Sequence, residues 1–553
     1  MSATVTARET VIARAVPTTK RRVPGILLGV LSDGSAVGLL ALSMWLIVRA
    51  GEQPPVLHLT FAIVGVRALA VGRAAFRYVE RLSSHDSALK QLAHLRTETF
   101  ERLIPRVPGA LETSKRGEVL SAFVDDVDQL QDEALRVRQP KIVSGIVIGL
   151  TVLVVAIASI PAALVLLVVL ILSGFVAAWL ARRLAGESDR ELAAARSGLM
   201  DALLERFASA EVLAAFDALP AQRARIAAAE ARLAVVQERR ARSAGLTGAI
   251  VALGAGIATL GIFLIALPAA GESISAPVFA AIVVVPAAVF EVYAQLLATF
   301  TARRAVEASA DRIAELTEQP LPAEIPVDPA LPAKLPAAVP AGTPLLSTQH
   351  LSVRHAGADH DAVTGISFEL AAGELLVITG PSGSGKSTLA LALTRLLEYR
   401  GEYRVAGIEA NTLAGAELRS FVGLCEQSPH LFDSDIRQNL KFAHETASDD
   451  ELLAVIERVG LGPWLAERGG LDARVGEHGA LVSGGQAQRI ALARAILADF
   501  PVVILDEPTA GVDRERADVL MRDLLGAIPD DRAVVLITHT DLPEDVTGAR
   551  LEL

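Results

Sequence analysis

Gly380-Pro381-Ser382-Gly383-Ser384-Gly385-Lys386-Ser387, followed by Thr388, has the composition and spacing of a phosphate cradle. Gly380, Gly383 and Gly385 let successive backbone N–H groups turn towards an anion. Apolar Leu375–Thr379 before them predicts a strand, and Ser387–Leu397 a helix whose N-terminus adds favourable partial charge. In this P-loop, Lys386 would reach the β and γ phosphates of a nucleoside triphosphate and the Ser387 hydroxyl would ligate Mg²⁺. A later apolar run, Val502–Leu505, ends in Asp506, from which a carboxylate can hold the metal. Glu507 beside it is the candidate to polarise an attacking water.

The rest of the chain must position this chemistry, and its composition divides it in two. At 553 residues two or three domains are expected, and the 52% hydrophobic content is concentrated in the first 300 residues. Six apolar runs have the length of about 20 residues that a bilayer core requires: Val23–Val48, Val56–Phe76, Ile142–Ile160, Ala162–Leu180, Leu246–Leu267 and Pro277–Phe300. Met1–Thr19 lacks the apolar core of a cleavable signal, and the first apolar run is membrane-length. Lys20, Arg21 and Arg22 precede the first run, and segments 77–141 and 181–245 are dense in Arg, whereas the opposite connections hold Glu52 or Glu272. Positive charge on one side predicts that the N-terminus, both long segments and the C-terminal half are cytoplasmic. Eight prolines between Pro320 and Pro344 block helix and favour an extended, semi-rigid linker. The expected organisation is a cytoplasmic segment 1–22, a transmembrane domain 23–316, a linker 317–344 and an α/β nucleotide-binding domain 345–553. A net charge of −11 argues against a nucleic-acid partner. The single cysteine, Cys425, excludes an internal disulfide framework, and its apolar neighbours suggest a buried strand residue.

Val482-Ser483-Gly484-Gly485-Gln486, lying between the P-loop and Asp506-Glu507, adds a second kind of information. This order of motifs resembles the nucleotide-binding domain of ATP-binding cassette (ABC) proteins. The resemblance implies membrane α plus α/β architecture: a six-helix transmembrane domain of ABC exporter type followed by a P-loop ABC ATPase domain. It also implies that the 482–486 signature closes over ATP held by a partner's P-loop. Gln427 matches the Q-loop glutamine, which joins Ser387 and Asp506 as a Mg²⁺ ligand and links the metal site to the membrane domain, His539 the switch histidine that contacts the γ-phosphate, and Asp513 the D-loop. Val482 replaces the usual Leu, and His355 stands where an aromatic ring normally stacks on adenine. Arg116–Leu120 with Asp125–Asp128 resembles the segment after a first coupling helix, and Glu205–Phe216 sits where a second would be. Both also read as solvated helix faces.

The cargo is best sought in the second apolar run. Arg67 and Arg73 lie inside it, and an Arg in hydrocarbon costs about 2.5–3.5 kcal/mol, so each should face protein or water. Arg73, Arg77, Arg81 and His85 form an i, i+4 ladder that shares a helix face. Such a ladder can bind carboxylates, with His85 a candidate metal or haem ligand. It reads equally as a hydrated helix extension with snorkelling arginines and Glu80 as counter-charge. Gly72–Asp86, together with Phe290-Glu291 in the sixth run, resembles the CydC family of half-transporters. That resemblance implies a heterodimer with a different, CydD-like half in the bacterial plasma (inner) membrane. It also implies export of the thiols cysteine and glutathione in support of cytochrome bd assembly, and a link to haem b through Arg81 and His85. A generic exporter of lipid, peptide or drug and a non-transporting ATP-driven regulator remain alternatives.

Overall fold

The computed structural model describes residues 2–106, 122–185, 188–510, 514–539, 542–543 and 545–553. The chain forms two compact units, a helical one that ends at Gln319 and an α/β one that runs from Pro320 to Leu553.

The first unit holds α1 (Ser2–Arg14), α2 (Thr19–Gly51), α3 (Val56–Leu103), α4 (Gln139–Ala158), α5 (Ile160–Ala185), α6 (Ser188–Ala208), α7 (Ala210–Ala215), α8 (Leu219–Ala266) and α9 (Ala276–Thr317). Six of its helices are long and apolar enough to cross a membrane, and they carry the six apolar runs. The third and fourth runs divide at Ser159, whose extended backbone ends α4. Pro161 then occupies the first turn of α5, where its missing N–H leaves no helical hydrogen bond unmade. Helices α3 and α8 have 48 residues each. At about 1.5 Å per residue each is roughly 70 Å long, more than twice the bilayer core, so their Arg-rich halves extend beyond it.

Small residues bring the helices together. The buried face of α2 includes Gly25, Gly29, Ser32, Asp33 and Ser35, and a Cβ on Gly29 would lie 2.9 Å from Val143 Cγ2 on α4. Phe290 of α9 is 1% exposed and packs on Gly254 of α8. Val147, Leu166, Leu170, Ile262 and Val289 complete this core.

A second core lies among the charged helix extensions, and here the structure adds to the sequence reading. The N-terminal segment is not merely a tail: Val11, Ile12 and Ala15, at the end of α1 and just beyond it, are buried with Leu92, Leu95, Val306 and Ala310. Arg14 Nη1 donates to Glu318 Oε1 at 2.6 Å, and Arg14 Nε lies 3.3 Å from Glu98. Burial would raise the Glu318 carboxyl, but the hydrogen bond and charge of Arg14, with Arg102 beside it, hold it below the ordinary glutamate value. Lys20, Arg21 and Arg22 form the first turn of α2, which begins at Thr19, ahead of its apolar run.

The second unit contains two sheets. An antiparallel sheet has the order β2-β1-β4-β5, built from β1 (Leu346–Arg354), β2 (Asp361–Leu370), β4 (Tyr399–Val405) and β5 (Ile408–Glu409). A parallel sheet has the order β6-β7-β8-β3-β9, with β3 (Leu375–Thr379), β6 (Val422–Cys425), β7 (Val502–Asp506), β8 (Ala533–Thr538) and β9 (Ala549–Glu552). Strands β7 and β8 are buried at every position, as expected of central parallel strands covered on both faces.

The proline-rich stretch is free of helix, but it is no free-standing linker. Ile325 is 5% exposed within the cassette core. Ala333 N donates to Thr412 O at 2.8 Å, Leu335 N to Glu417 Oε1 at 3.1 Å, and Arg395 Nη2 to Val327 O at 3.0 Å. Its carbonyls and amides find partners along the cassette because proline exposes unpaired backbone groups that a neighbouring surface can satisfy. Cys425 is buried at the end of β6, and burial pushes its thiol up to about 12.

Candidate functional site

Parallel register brings the predicted chemistry to one edge. Thr379 pairs with Thr538, Asp506 with Ile537 and Cys425 with Leu505. The residues following four strands therefore meet beyond their C-terminal ends, where open α/β sheets bind ligands. These are the P-loop after β3, Gln427 after β6, Asp506-Glu507 at β7 and His539 after β8.

The P-loop turns through Gly383 (φ 83°) and Gly385 (φ 93°) into the helix Lys386–Leu393. The helix begins at Lys386 and ends four residues earlier than its apolar run suggested. Thr394 closes it by capping, and Arg395 takes a positive φ. Ser382, Ser384 and Thr388 lie on this loop and the first helical turn. Ser384 Oγ is buried without a hydrogen-bond partner. Lys386 is 5% exposed, its Nζ donating to Gly380 O at 3.0 Å and Pro381 O at 2.9 Å.

Ser387, at the start of the P-loop helix, and Asp506, at the end of β7, are two of the expected Mg²⁺ ligands, and the Ser387 hydroxyl acts on the Asp506 carboxyl. Among the described residues, Asp506 Oδ1 has no hydrogen-bond partner. Burial pushes the Asp506 carboxyl up, against the pull of the Ser387 hydroxyl, and the Glu507 charge adds to the rise while Lys386 opposes it. A hard cation would satisfy an orphaned carboxylate oxygen of this kind. Glu507 gathers the remaining groups: Gln427 Nε2 donates to its Oε2 at 2.8 Å, His539 Nδ1 lies 3.2 Å from Oε1, and Lys386 Nζ 3.8 Å from Oε1. It holds a left-handed backbone (φ 46°), with its N–H donating to Ile537 O at 2.9 Å. Strain of this kind in a non-glycine residue is retained where surrounding contacts over-determine it, commonly at functional sites. His355 lies in the turn between β1 and β2, and the start of β2 passes over Gly385.

The signature is elsewhere on the domain. Ser483 caps the helix Gly484–Leu497 in a reciprocal box with Gln486, and among the described residues no hydrogen bond or ion pair joins residues 482–486 to the P-loop. Asp513 and Arg116–Leu120 lie outside the described residues.

One positioning residue escaped the sequence reading. Gln488, 7% exposed on the signature helix, donates from Nε2 to Gln427 O at 2.7 Å. It braces the loop whose side chain holds Glu507. Its signal was available: Gln488, Ala491, Leu492 and Ala495 follow the i, i+3, i+4, i+7 pattern of a buried face, and all four are buried. Gln488→Leu removes the donor that holds the Gln427 carbonyl, so ATP turnover by the assembled transporter should fall about tenfold with nucleotide affinity retained. Paired turnover and nucleotide-binding measurements check this, and unchanged turnover would remove Gln488 from that role.

The membrane unit offers a second site. A cavity of about 240 Å³ is lined by Asp33 of α2, by Arg77, Glu80, Arg81 and His85 of α3, and by Gln139 of α4. Three rungs of the predicted ladder thus share one cavity. The fourth, Arg73, lies 3.8 Å from Glu291 of α9 instead. The side chains of Arg81 and His85 have no hydrogen-bond or ion-pair partner among the described residues. Glu80, expected as the counter-charge, accepts from Gln139 Nε2 and from Ser84 Oγ. The carboxylate facing Arg77 is Asp33, at 3.8 Å. An Asp inside the first apolar run was the overlooked signal. Arg67 lies on an exposed face of α3.

Six membrane-length helices and a cassette with these motifs define an ABC half-transporter of exporter type. Residues 25–284 match the family model "ABC transporter transmembrane region" and residues 363–510 match "ABC transporter". The chain is 31% identical over 521 residues to the glutathione/L-cysteine transport system ATP-binding/permease protein CydC of Escherichia coli, covering 93% of this chain and 89% of that one. It is 28% identical to CydC of Haemophilus influenzae, again over 93% and 89%, and 29% identical to CydD of Bacillus subtilis over 93% and 88%. A bacterial Atm1-family ABC exporter with ATP bound shares the fold, with a TM-score of 0.77 at 20% identity over 95% of this chain and 91% of that one. The chain belongs to the ABC transporter family, as a multi-pass membrane protein that couples ATP hydrolysis to transport.

Proposed function

We propose that this chain is the CydC-like half of a heterodimeric exporter that moves a small thiol, cysteine or glutathione, out of the cytoplasm in support of cytochrome bd assembly. The observation that carries this reading is the extent of similarity. Relatives named CydC and CydD align over 93% of the chain, whereas a β-(1→2)glucan exporter and a lipid A-core flippase align over only 32% and 34% of it. The shared portion with those exporters is about the size of a cassette, which is generic. The membrane half, which must recognise cargo, is what the CydC and CydD relatives add.

In this reading the plasma membrane holds the six spans, with the cassette and the Arg-rich extensions on the cytoplasmic side. Lys386 and the P-loop amides hold the ATP phosphates, Ser387 and Asp506 carry Mg²⁺, and Glu507 polarises the attacking water. Gln427 and His539 order that water and the γ-phosphate. Residues 482–486 complete the partner's site, so this chain alone should hydrolyse little ATP. The test is co-purification with a CydD-like half and reconstitution into vesicles. ATPase stimulated by cysteine or glutathione, together with ATP-dependent movement of that thiol, supports the reading. A complex that moves neither thiol would sink it.

Haem is a second cargo, favoured by His85 and Arg81 standing without partners on the cavity. Asp33 and Glu80 on the same cavity work against its propionates. If haem binds there, His85→Ala should erase a haem absorbance band from the purified complex; an unchanged spectrum would withdraw the assignment.

A further inference from the structure

The cavity on α3 carries both signs of charge, and binding a carboxylate uses only one of them. Three guanidinium groups, Arg73, Arg77 and Arg81, are matched by three carboxylates, Asp33, Glu80 and Glu291. These six charges balance. A balanced cluster disfavours a polyanion, which would meet Asp33 and Glu80, and an apolar ligand, which would strip water from the charges with no return. It fits a molecule that itself carries separated charges of both signs.

The two lining acids differ in their engagement. Glu80 already accepts hydrogen bonds from Gln139 and Ser84. Asp33, with its side chain 11% exposed, has Arg77 at 3.8 Å as its ion-pair partner, beyond hydrogen-bond reach. A purely structural Asp–Arg pair in an apolar helix would be expected to close into a bidentate contact of about 2.8 Å. Opposite Asp33, Arg77 and Arg81 stand one turn apart on α3, the spacing at which two side chains converge on one group.

We propose that Asp33 is a specificity-determining residue that receives the α-ammonium group of a zwitterionic amino acid or small peptide, while Arg77 and Arg81 receive its carboxylate. The proposal rests on the thiol-transport reading and adds that the ammonium group is recognised. Binding would replace the long Asp33–Arg77 contact with two charge-assisted hydrogen bonds to the ligand, one at each end.

The probe pair is L-cysteine and N-acetyl-L-cysteine, which share the thiol and the carboxylate and differ in the ammonium group. The transporter, assembled with its partner half and reconstituted in vesicles, is assayed for stimulated ATPase and for movement of each compound. The wild-type complex should respond to cysteine at a concentration about tenfold lower, or more, than to the acetylated form. Asp33→Asn should bring that ratio close to one, and Asp33→Glu should restore part of it. Equal responses to both compounds in the wild type, a comparison that needs no variant, would overturn the role of Asp33 while leaving thiol transport standing. A preference that survives in Asp33→Asn would do the same. If neither compound stimulates or moves, the transport reading fails and this proposal falls with it.

Discussion

Glu507→Gln is expected to lower ATP turnover of the assembled transporter by about a hundredfold or more while ATP stays bound, the scale of losing a positioned general base. The change is nearly isosteric, so β7 and the backbone bond from Glu507 N–H to Ile537 O should persist. What goes is the negative charge on which Gln427, His539 and Lys386 converge. An amide cannot take a proton from water, and it attracts Lys386 less. The measurement pairs phosphate release with retained nucleotide on the same preparation. Residual turnover above about a tenth of wild type would mean that Glu507 is not the base, since general-base losses are larger.

Gly385→Ala should weaken nucleotide binding by about tenfold or more, because two separate penalties fall on one methyl group. The backbone there has φ 93°, which side chains of L-residues rarely tolerate. A Cβ would also lie 2.5 Å from both Ala362 O and Val363 Cγ2 of β2, and the first is immobile backbone. Gly383 separates the two effects: its φ is 83°, yet nothing lies within 4 Å of its Cβ. Gly383→Ala should therefore lose less affinity than Gly385→Ala. Titration of each variant with a fluorescent ATP analogue gives the comparison, and equal losses would show that β2 does not crowd the P-loop.

Much of the ATP site was legible without coordinates because its parts are local. A P-loop is eight consecutive residues, β7 and β8 are unbroken apolar runs, and the side chains that matter sit at or just beyond strand ends. Parallel pairing then carries them to a single edge. The membrane spans were legible for a different reason: hydrocarbon demands about 20 apolar residues in a row, and few other structures do. Boundaries moved where capping intervened, as at Ser159 and at Thr394. The packing of the proline-rich stretch was not legible because composition reports backbone stiffness and is silent on the surface a stiff segment lies against.

Asp33 and Gln488 show where sequence reading stopped. Asp33 is a polar residue in an apolar run and Gln488 a polar residue on a buried helix face, and each acquires its role from a group 44 or more positions away, Arg77 in one case and Gln427 in the other. The docking of α1 through Arg14 to Glu318 is a still longer link, across 304 positions. By itself the sequence determined the class of machine, the candidate residues of the ATP site and the number of spans, because those follow from short-range pattern and from solvent. Only the tertiary structure decided which charges share a cavity and which helix braces the catalytic loop. Those pairings depend on how helix faces and strand ends are brought together in space, and no local periodicity encodes that.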